Sequence, residues 1–497
     1  MRCFAMRSIR MSAGLALLTL GLGVWRAWGQ QVTITECGVL KTQIVAGETS
    51  FVLGANIICN SEITITEGVE VTIDGADFTL QIDPDFVHGD DRFAAIYNEG
   101  TLTLTGLTMT VDEEVKSGFR AIYNEGDLTV NSCNFNGFNL LTEPLEDGGV
   151  IYSNSQGGTL VIEGSQFKSN AAGTKGGAIC ATGTEELTIM DCEFNDNEAG
   201  TTDSGEGSGG DVYAADGVTL IVESSSFLNS AAEYGGAAIE CCGGTITSSS
   251  FTGAESFSIG SENYGGAVLV GRPDSGCSQE LVVMNSNFSR CSVDGTNGAG
   301  GALAVFDTSA SLEDCLINHI EGTAVLFRSS KANGAHKISM TSLEFEYNSN
   351  PASAYASSGL EQQGTAFVLE NTAAEEDEIV AMGTFDTVHC FSNDPYECEM
   401  IFDLGSVTYT GEIKCQICNI DSERQWEGLD QDSGANTGDD TDDSSASRSS
   451  DSNEGIVIGL SLALGLTLVV IGALAVWKIR VRRNARRLMD DMGDGDL

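Results

Sequence analysis

Asp191 and Glu193 stand two residues apart, the spacing that puts two carboxylates on one face of a strand. Such acids act as general acid, base or nucleophile in glycoside hydrolysis when a second carboxylate converges on them from a neighbouring segment. A lyase acting on uronates would also want an Arg or Lys, and Arg272, Arg290, Arg328 and Lys331 are the sparse candidates. His88, His319, His336 and His389 are scattered, with no His-x-His or His-Glu-x-x-His spacing for metal or hydrolase chemistry. Cys415-Gln416-Ile417-Cys418 has knuckle spacing but no second pair at zinc-ribbon distance. Asp191 and Glu193 are therefore the only catalytic nominees, and weak ones; no metal site is expected.

What would position these groups is an internal repeat. Gly-Gly-Ala-aliphatic phrases stand at Gly176-Gly177-Ala178-Ile179, Gly235-Gly236-Ala237, Gly265-Gly266-Ala267-Val268 and Gly300-Gly301-Ala302-Leu303. Looser copies are Gly148-Gly149-Val150-Ile151 and Gly209-Gly210-Asp211-Val212. Between them falls a small-x-Phe phrase ending at Phe135, Phe167, Phe194, Phe227, Phe251 and Phe288, with a period of roughly 24–37 residues. Segments such as Leu102-Thr103-Leu104 and Leu128-Thr129-Val130 alternate with period two, and Ala95-Ile96-Tyr97-Asn98-Glu99-Gly100 recurs as Ala121-Ile122-Tyr123-Asn124-Glu125-Gly126. Strands this short, with Gly, Asn or Asp at each corner, predict successive coils of a parallel β-helix. Only 5 prolines in 497 residues agree with strands whose N–H groups are all needed by ladders. Three places before each Phe stand Gly164, Asp191, Ser224, Ser248 and Asn285, with Glu313 in the coil aligned on Leu316, so no acid recurs beside Asp191 on the next coil.

The paired Gly-Gly-Ala-Ile and Phe-x-x-Asn phrases, the latter at Phe167-Lys168-Ser169-Asn170 and Phe194-Asn195-Asp196-Asn197, resemble the repeats of the polymorphic outer-membrane protein family. Ile63-Thr64-Ile65 and Val69-Glu70-Val71-Thr72-Ile73-Asp74-Gly75 are similar to the first coils of pectin-lyase-like right-handed β-helices. The resemblance spans roughly residues 50–370 and implies an all-β, right-handed parallel β-helix solenoid. It says little about function, because that scaffold hosts adhesins, lyases, hydrolases and epimerases. The outer-membrane family ends in a β-barrel, for which this chain shows no pattern.

The ends suggest a topology. Residues 1–29 read as a secretory signal, with Arg2, Arg7 and Arg10 ahead of a short apolar stretch and Ala27-Trp28-Gly29 as a cleavage site. Residues 456–477 carry no charge and are about long enough to span a bilayer as a single transmembrane helix. Lys478, Arg480, Arg482, Arg483, Arg486 and Arg487 follow, so residues 478–497 are expected in the cytoplasm and the solenoid outside the cell or in a lumen. The remaining divisions are an N-terminal cap with the first coils (30–90), the β-helix (91–389), a Cys-rich C-terminal cap (390–420) and an acidic Ser/Asp-rich stalk (421–455). The expected location is the plasma membrane or a secretory-pathway membrane.

The formal net charge is −48, from 72 acidic and 24 basic residues, which argues against nucleic acid as a partner. It also argues against polyanionic glycans unless a divalent cation bridges; no cofactor is expected, with calcium left open. An exported chain favours disulfides. Cys37 with Cys59 would staple the N-terminal cap, and Cys390, Cys398, Cys415 and Cys418 would tie down the other end. Cys133 and Cys192 occupy a small-residue slot held elsewhere by serine, and read as buried ladder residues. Asn287-Phe288-Ser289 is a glycosylation sequon with Phe288 facing in and Asn287 out. The reading is a non-catalytic type I membrane protein whose acidic β-helix binds an extracellular or lumenal glycan, protein or cations in adhesion. The alternatives are a polysaccharide-active lyase, hydrolase or epimerase on the same scaffold, and a template for cations or mineral.

Overall fold

The computed structural model describes most of residues 31–346 and, by backbone, the strands Thr365–Asn371, Ala381–Phe391, Glu399–Asp403 and Val407–Glu412. Residues 1–29, 421–455, 456–477 and 478–497, expected from the sequence to be signal, stalk, membrane span and tail, lie outside the described residues, as do Cys398, Cys415, Cys418 and the side chain of Cys390. No helix among the described residues is long and apolar enough to cross a membrane.

The chain is an all-β solenoid. Its strands pair in parallel, each with its counterpart one coil on, in sheets of 24, 12 and 5 strands among the described residues. In the first sheet, Leu102, Leu128, Leu160, Leu187 and Leu220 stack in register, as do Leu104, Val130, Ile162, Ile189 and Val222, all fully buried. Thr103 and Thr129 between them point outward, as period-two alternation requires. Pairing continues past residue 389 to Val407–Glu412.

Aromatic stacking fixes the axis. Phe135, Phe167, Phe194, Phe227, Phe251 and Phe288 form one column with centroids 4.8–5.1 Å apart and rings within 14° of parallel. Ile317 takes the next place. Three residues before each ring, and before Ile317, the backbone turns a corner with positive φ, at Ser132, Gly164, Asp191, Ser224, Ser248, Asn285 and Asp314. That conformation favours Gly, Asn, Asp and other small polar residues, which explains the residue types in this slot without any chemistry. It also corrects the alignment of one coil: Asp314, not Glu313, stands in the rank of Asp191.

Polar ladders line the neighbouring slots. The hydroxyls of Ser165, Ser225, Ser249 and Ser286 each donate to the carbonyl two residues back, at 2.8–2.9 Å. Each also accepts from the backbone N–H of the preceding coil, at 3.1–3.2 Å. Cys133, Cys192 and Cys315 occupy the same slot and make the same carbonyl contact through sulfur. Inside the next corner, the buried Asn170 and Asn197 bond side chain to side chain at 3.0 Å, so the Phe-x-x-Asn phrase is an internal ladder.

The Gly-Gly-Ala-aliphatic phrase is a close approach of coils. Gly176 has φ +65°, and a Cβ on Gly177 would run into the carbonyl of Gly210. One copy shifts register: Ile239 pairs with Val212 and Val268, so Gly236-Ala237-Ala238-Ile239 is the structural equivalent, and Gly235-Gly236-Ala237 is displaced by one residue. The reason is that Gly236, not Gly235, takes the positive φ.

At the N-terminal end a helix, Cys37–Val45, buries Cys37, Leu40 and Ile44 against the first strands. It closes the open core, and the Cys37–Cys59 disulfide fastens it as the spacing suggests. That the cap is helical is not visible in the repeat pattern.

Candidate functional site

The structure does not assemble the nominated acids into a catalytic pair. The strand is Glu193–Asn195, while Asp191 lies outside it, exposed in the left-handed corner. The in-register neighbours of Glu193 are Gln166 and Ser226, neither an acid. Arg290 occupies a corner with φ +57°, and Lys331 lies outside the described residues. Arg272 and Arg328, by contrast, reach the outer face of the second sheet, beside Tyr234, Tyr264 and Glu240.

That face is built by one outward position per coil. Tyr97, Tyr123, Tyr152, Cys180, Tyr213, Glu240 and Leu269 follow one another in register. The aliphatic residues preceding them, such as Ile122, Ile151 and Val212, fill the core. Rings on consecutive coils approach to 6.0 Å (Tyr97–Tyr123) and 5.1 Å (Tyr123–Tyr152). Tyr123, Tyr152 and Tyr213 are half-buried.

Cations lie over these rings. Arg92 is 3.4 Å from the Tyr97 centroid, Arg120 is 5.6 and 5.1 Å from those of Tyr123 and Tyr152, and Lys175 is 4.7 Å from Tyr213. Arg272 covers Tyr234 at 4.6 Å and Arg328 covers Tyr264 at 5.2 Å. Among the described residues, the remaining lysines and arginines are Lys41, Lys168, Arg290 and Lys337. A strongly acidic chain has thus gathered most of its described positive charge on one face, where desolvated π surfaces favour it.

Carboxylates answer the cations. Arg120 donates to Glu146 at 2.5 Å, and Arg272 grips Glu240 with two bonds of 2.7 and 3.0 Å. Arg272 also donates to the Ser208 hydroxyl. Burial works against the Arg272 charge, but Glu240 outweighs it and keeps the guanidinium protonated. The hydroxyl of Tyr97 lies 2.6 Å from both Glu99 and Glu125, Tyr152 accepts from Thr182 at 3.3 Å, and Arg328 donates to Tyr264 at 2.7 Å. Burial first, then Glu240, pushes the Tyr213 hydroxyl up, so it stays protonated. The face can offer hydroxyls, half-open rings and closed ion pairs.

No protein-family model matches the chain, and no curated protein is similar to it. Two solved structures are similar in outline. One, described as "L. reuteri 53608 SRRP", has 12% identity, covers 78% of this chain and 98% of its own, and gives a TM-score of 0.22. The other, "L. reuters 100-23 SRRP", has 12% identity, coverages of 79% and 98%, and a TM-score of 0.27. At those scores the likeness carries no argument.

The free thiols among the described residues are all held in the thiol form. Cys133, Cys180, Cys192, Cys241, Cys291 and Cys315 are free and buried. Burial pushes Cys133, Cys192 and Cys315 up to about 11, and Cys241 and Cys291 up to about 12. Cys180 is raised well above its usual value by burial, then by Asp147. The neighbours Cys241 and Cys242 point opposite ways: Cys241 lies in the core, while Cys242 forms a disulfide with Cys277 that the spacing alone does not identify. In the native protein at pH 8, maleimide labelling mapped by mass spectrometry should therefore spare all six free thiols. Labelling of Cys133 or Cys192 without denaturant would contradict their burial. No group of three or more His, Cys, Asp or Glu among the described residues is arranged to hold a metal ion.

The tyrosine face has a trace in the sequence. The duplicated Ala-Ile-Tyr-Asn-Glu-Gly phrase contains Tyr97 and Tyr123, and Tyr152 and Tyr213 follow the aliphatic residue of two Gly-Gly phrases. Their cations leave none, because Arg272 reaches Glu240 from 32 residues away.

Proposed function

We propose that this chain is a single-pass type I membrane protein that displays a right-handed, pectin-lyase-like β-helix as a non-catalytic surface for binding and adhesion. The observation that carries the reading is the second-sheet face: Tyr97, Tyr123, Tyr152 and, past Cys180, Tyr213 in one row, with Arg120 and Arg272 tied to carboxylates, suited to recognition by contact. Glu240, the acid in the row itself, is 5% exposed and gripped by Arg272, a poor arrangement for proton transfer to a substrate. The membrane attachment is supported by the apolar span and its basic flank in the sequence, and the low positive charge elsewhere disfavours nucleic acid.

Two measurements test the reading together. An antibody should reach a tag after Gln31 on intact cells, or in sealed inverted vesicles for a lumenal solenoid, and a tag after Leu497 only after permeabilisation. Cells carrying the chain should adhere to neighbouring cells or matrix more than cells lacking residues 31–420. Pectate, alginate or glucans incubated with the protein should yield neither unsaturated uronides nor new reducing ends. The reverse tag pattern, or product formation, would replace this reading with another.

A further inference from the structure

Asn287-Phe288-Ser289 is the chain's one Asn-x-Ser/Thr triplet, and the structure places it on a strand of the first sheet. Phe288 turns inward, fully buried and stacked on Phe251 at 4.8 Å, while Asn287 and Ser289 face out and are half-buried. Resting on the lumenal or extracellular reading above, we propose that Asn287 carries an N-linked oligosaccharide and that the sugar is attached before this coil closes onto its neighbours.

The position suits the product. The Oδ1 of Asn287 is buried without a hydrogen-bond partner, so the solvent side of this half-exposed amide is its nitrogen, the atom that bears the sugar. In the outward rank Ser226 and Ser250 precede Asn287 and Leu316 follows it. The two serines are short and leave room for the first sugar over the preceding coils, while Leu316 offers an apolar edge on the other side. A glycan here stands on the first sheet and leaves the tyrosine-bearing face of the second sheet free for the binding reading.

The folded strand does not suit the reaction. In the transfer, the Nδ2 of Asn287 attacks the anomeric carbon of a lipid-diphosphate-linked oligosaccharide. The carbon–nitrogen bond forms, the bond from that carbon to the diphosphate oxygen breaks, the lipid diphosphate leaves, and one amide proton passes to a base on the transferase. The enzyme has to close around the triplet to direct that attack, and here both edges are taken. Asn287 pairs with Ser250 and Leu316, and Ser289 with Thr252 and Asn318. The Asn287 N–H donates to the Ser249 carbonyl at 2.9 Å, and the Ser286 carbonyl accepts from Leu316 at 3.0 Å. Lifting the triplet out would break both ladders and pull Phe288 from its column, an opening of the core rather than of a frayed end. Attachment therefore precedes closure.

The test offers full-length protein, made without glycan in an oxidising bacterial host, to oligosaccharyltransferase and a lipid-linked oligosaccharide. One sample is native; the other is reduced, alkylated and unfolded. The unfolded chain should gain one glycan, mapped by mass spectrometry to the peptide holding Asn287. The native chain should react about a hundredfold more slowly or less, because a core strand opens only at a cost approaching that of global unfolding. Asn287→Gln and Ser289→Ala should abolish the modification while keeping the parent's melting midpoint, since both side chains face out. An unfolded chain left unmodified would overturn the site, and a native chain modified as fast as the unfolded one would overturn the order of events. Translation of the full chain with microsomes separates this proposal from the topology it rests on. Residues 31–420 should be protected from added protease, and glycosidase should raise the product's mobility by a single step. A protected chain without glycan would overturn the proposal and leave the topology standing; an unprotected chain would bring both down.

Discussion

Replacing Phe194 by alanine should destabilise the solenoid by about 3–5 kcal/mol, the range for deleting a large aromatic side chain from a packed core. The ring is fully buried and stacked at 4.9 Å on Phe167 and 4.8 Å on Phe227, nearly parallel to both. Collapse around the cavity is opposed by the ladders on either side, because each coil is held in register by its neighbours. Phe194→Asp should be worse, since a charge placed in the column would have no partner and no water. Phe194→Leu, which keeps much of the volume, should cost far less than the alanine variant. Denaturant melts of the three variants give the comparison. A loss below about 1 kcal/mol for Phe194→Ala would mean that the column does not bear the axial packing.

The second large effect concerns Asp211. It stands in a slot that Ala178, Ala238, Ala267 and Ala302 fill on other coils, and it is fully buried. Its carboxylate accepts from Asn197 at 2.8 Å and from the Ser230 hydroxyl, both neutral groups. Burial pushes its pKa up to about 8, against the pull of those two hydrogen bonds, and Asp196 adds to the rise. Below about pH 4 the group is protonated in folded and unfolded chains alike and has no effect on stability. Between about 4 and 8 the unfolded chain releases the proton and the folded one keeps it, so stability falls as pH rises. Above about 8 both states are ionised and the loss is complete, on the order of 5 kcal/mol. Asp211→Asn keeps an acceptor for Asn197 and Ser230 without the titration. It should match the parent near pH 4 and be markedly more stable at pH 9. Denaturant melts at pH 4, 7 and 9 read the difference, which cancels the titration of the many other acids. Parallel pH profiles for the two proteins would show that Asp211 does not carry this effect.

Most of the fold is legible from local pattern because a solenoid is nearly one-dimensional: each residue meets its counterpart one period away. The Phe column, the alternation of Leu102-Thr103-Leu104 and the serine slot occupied by Cys133 and Cys192 all follow from such short-range order. The Cys37–Cys59 staple is visible for a similar reason, since a cap has few other cysteines within reach.

The sequence by itself determined the all-β parallel solenoid, its core ranks and the N-terminal disulfide. The register of the Gly235-Gly236 coil, the corner position of Asp191 and the buried Asp211 were decided only by tertiary structure. A backbone with φ > 0 can be met by either of two adjacent glycines, and an Asp in a Gly-Gly phrase looks like any surface acid until its side chain is seen to turn inward. The cation–tyrosine face is the clearest case. Its rings recur with the period, and Arg120 and Glu240 stand on its strands, but their partners Glu146 and Arg272 come from loops that carry no period. Pairwise electrostatics between residues so far apart in the chain depends on where the coils set them, and that distance is a property of the folded molecule alone.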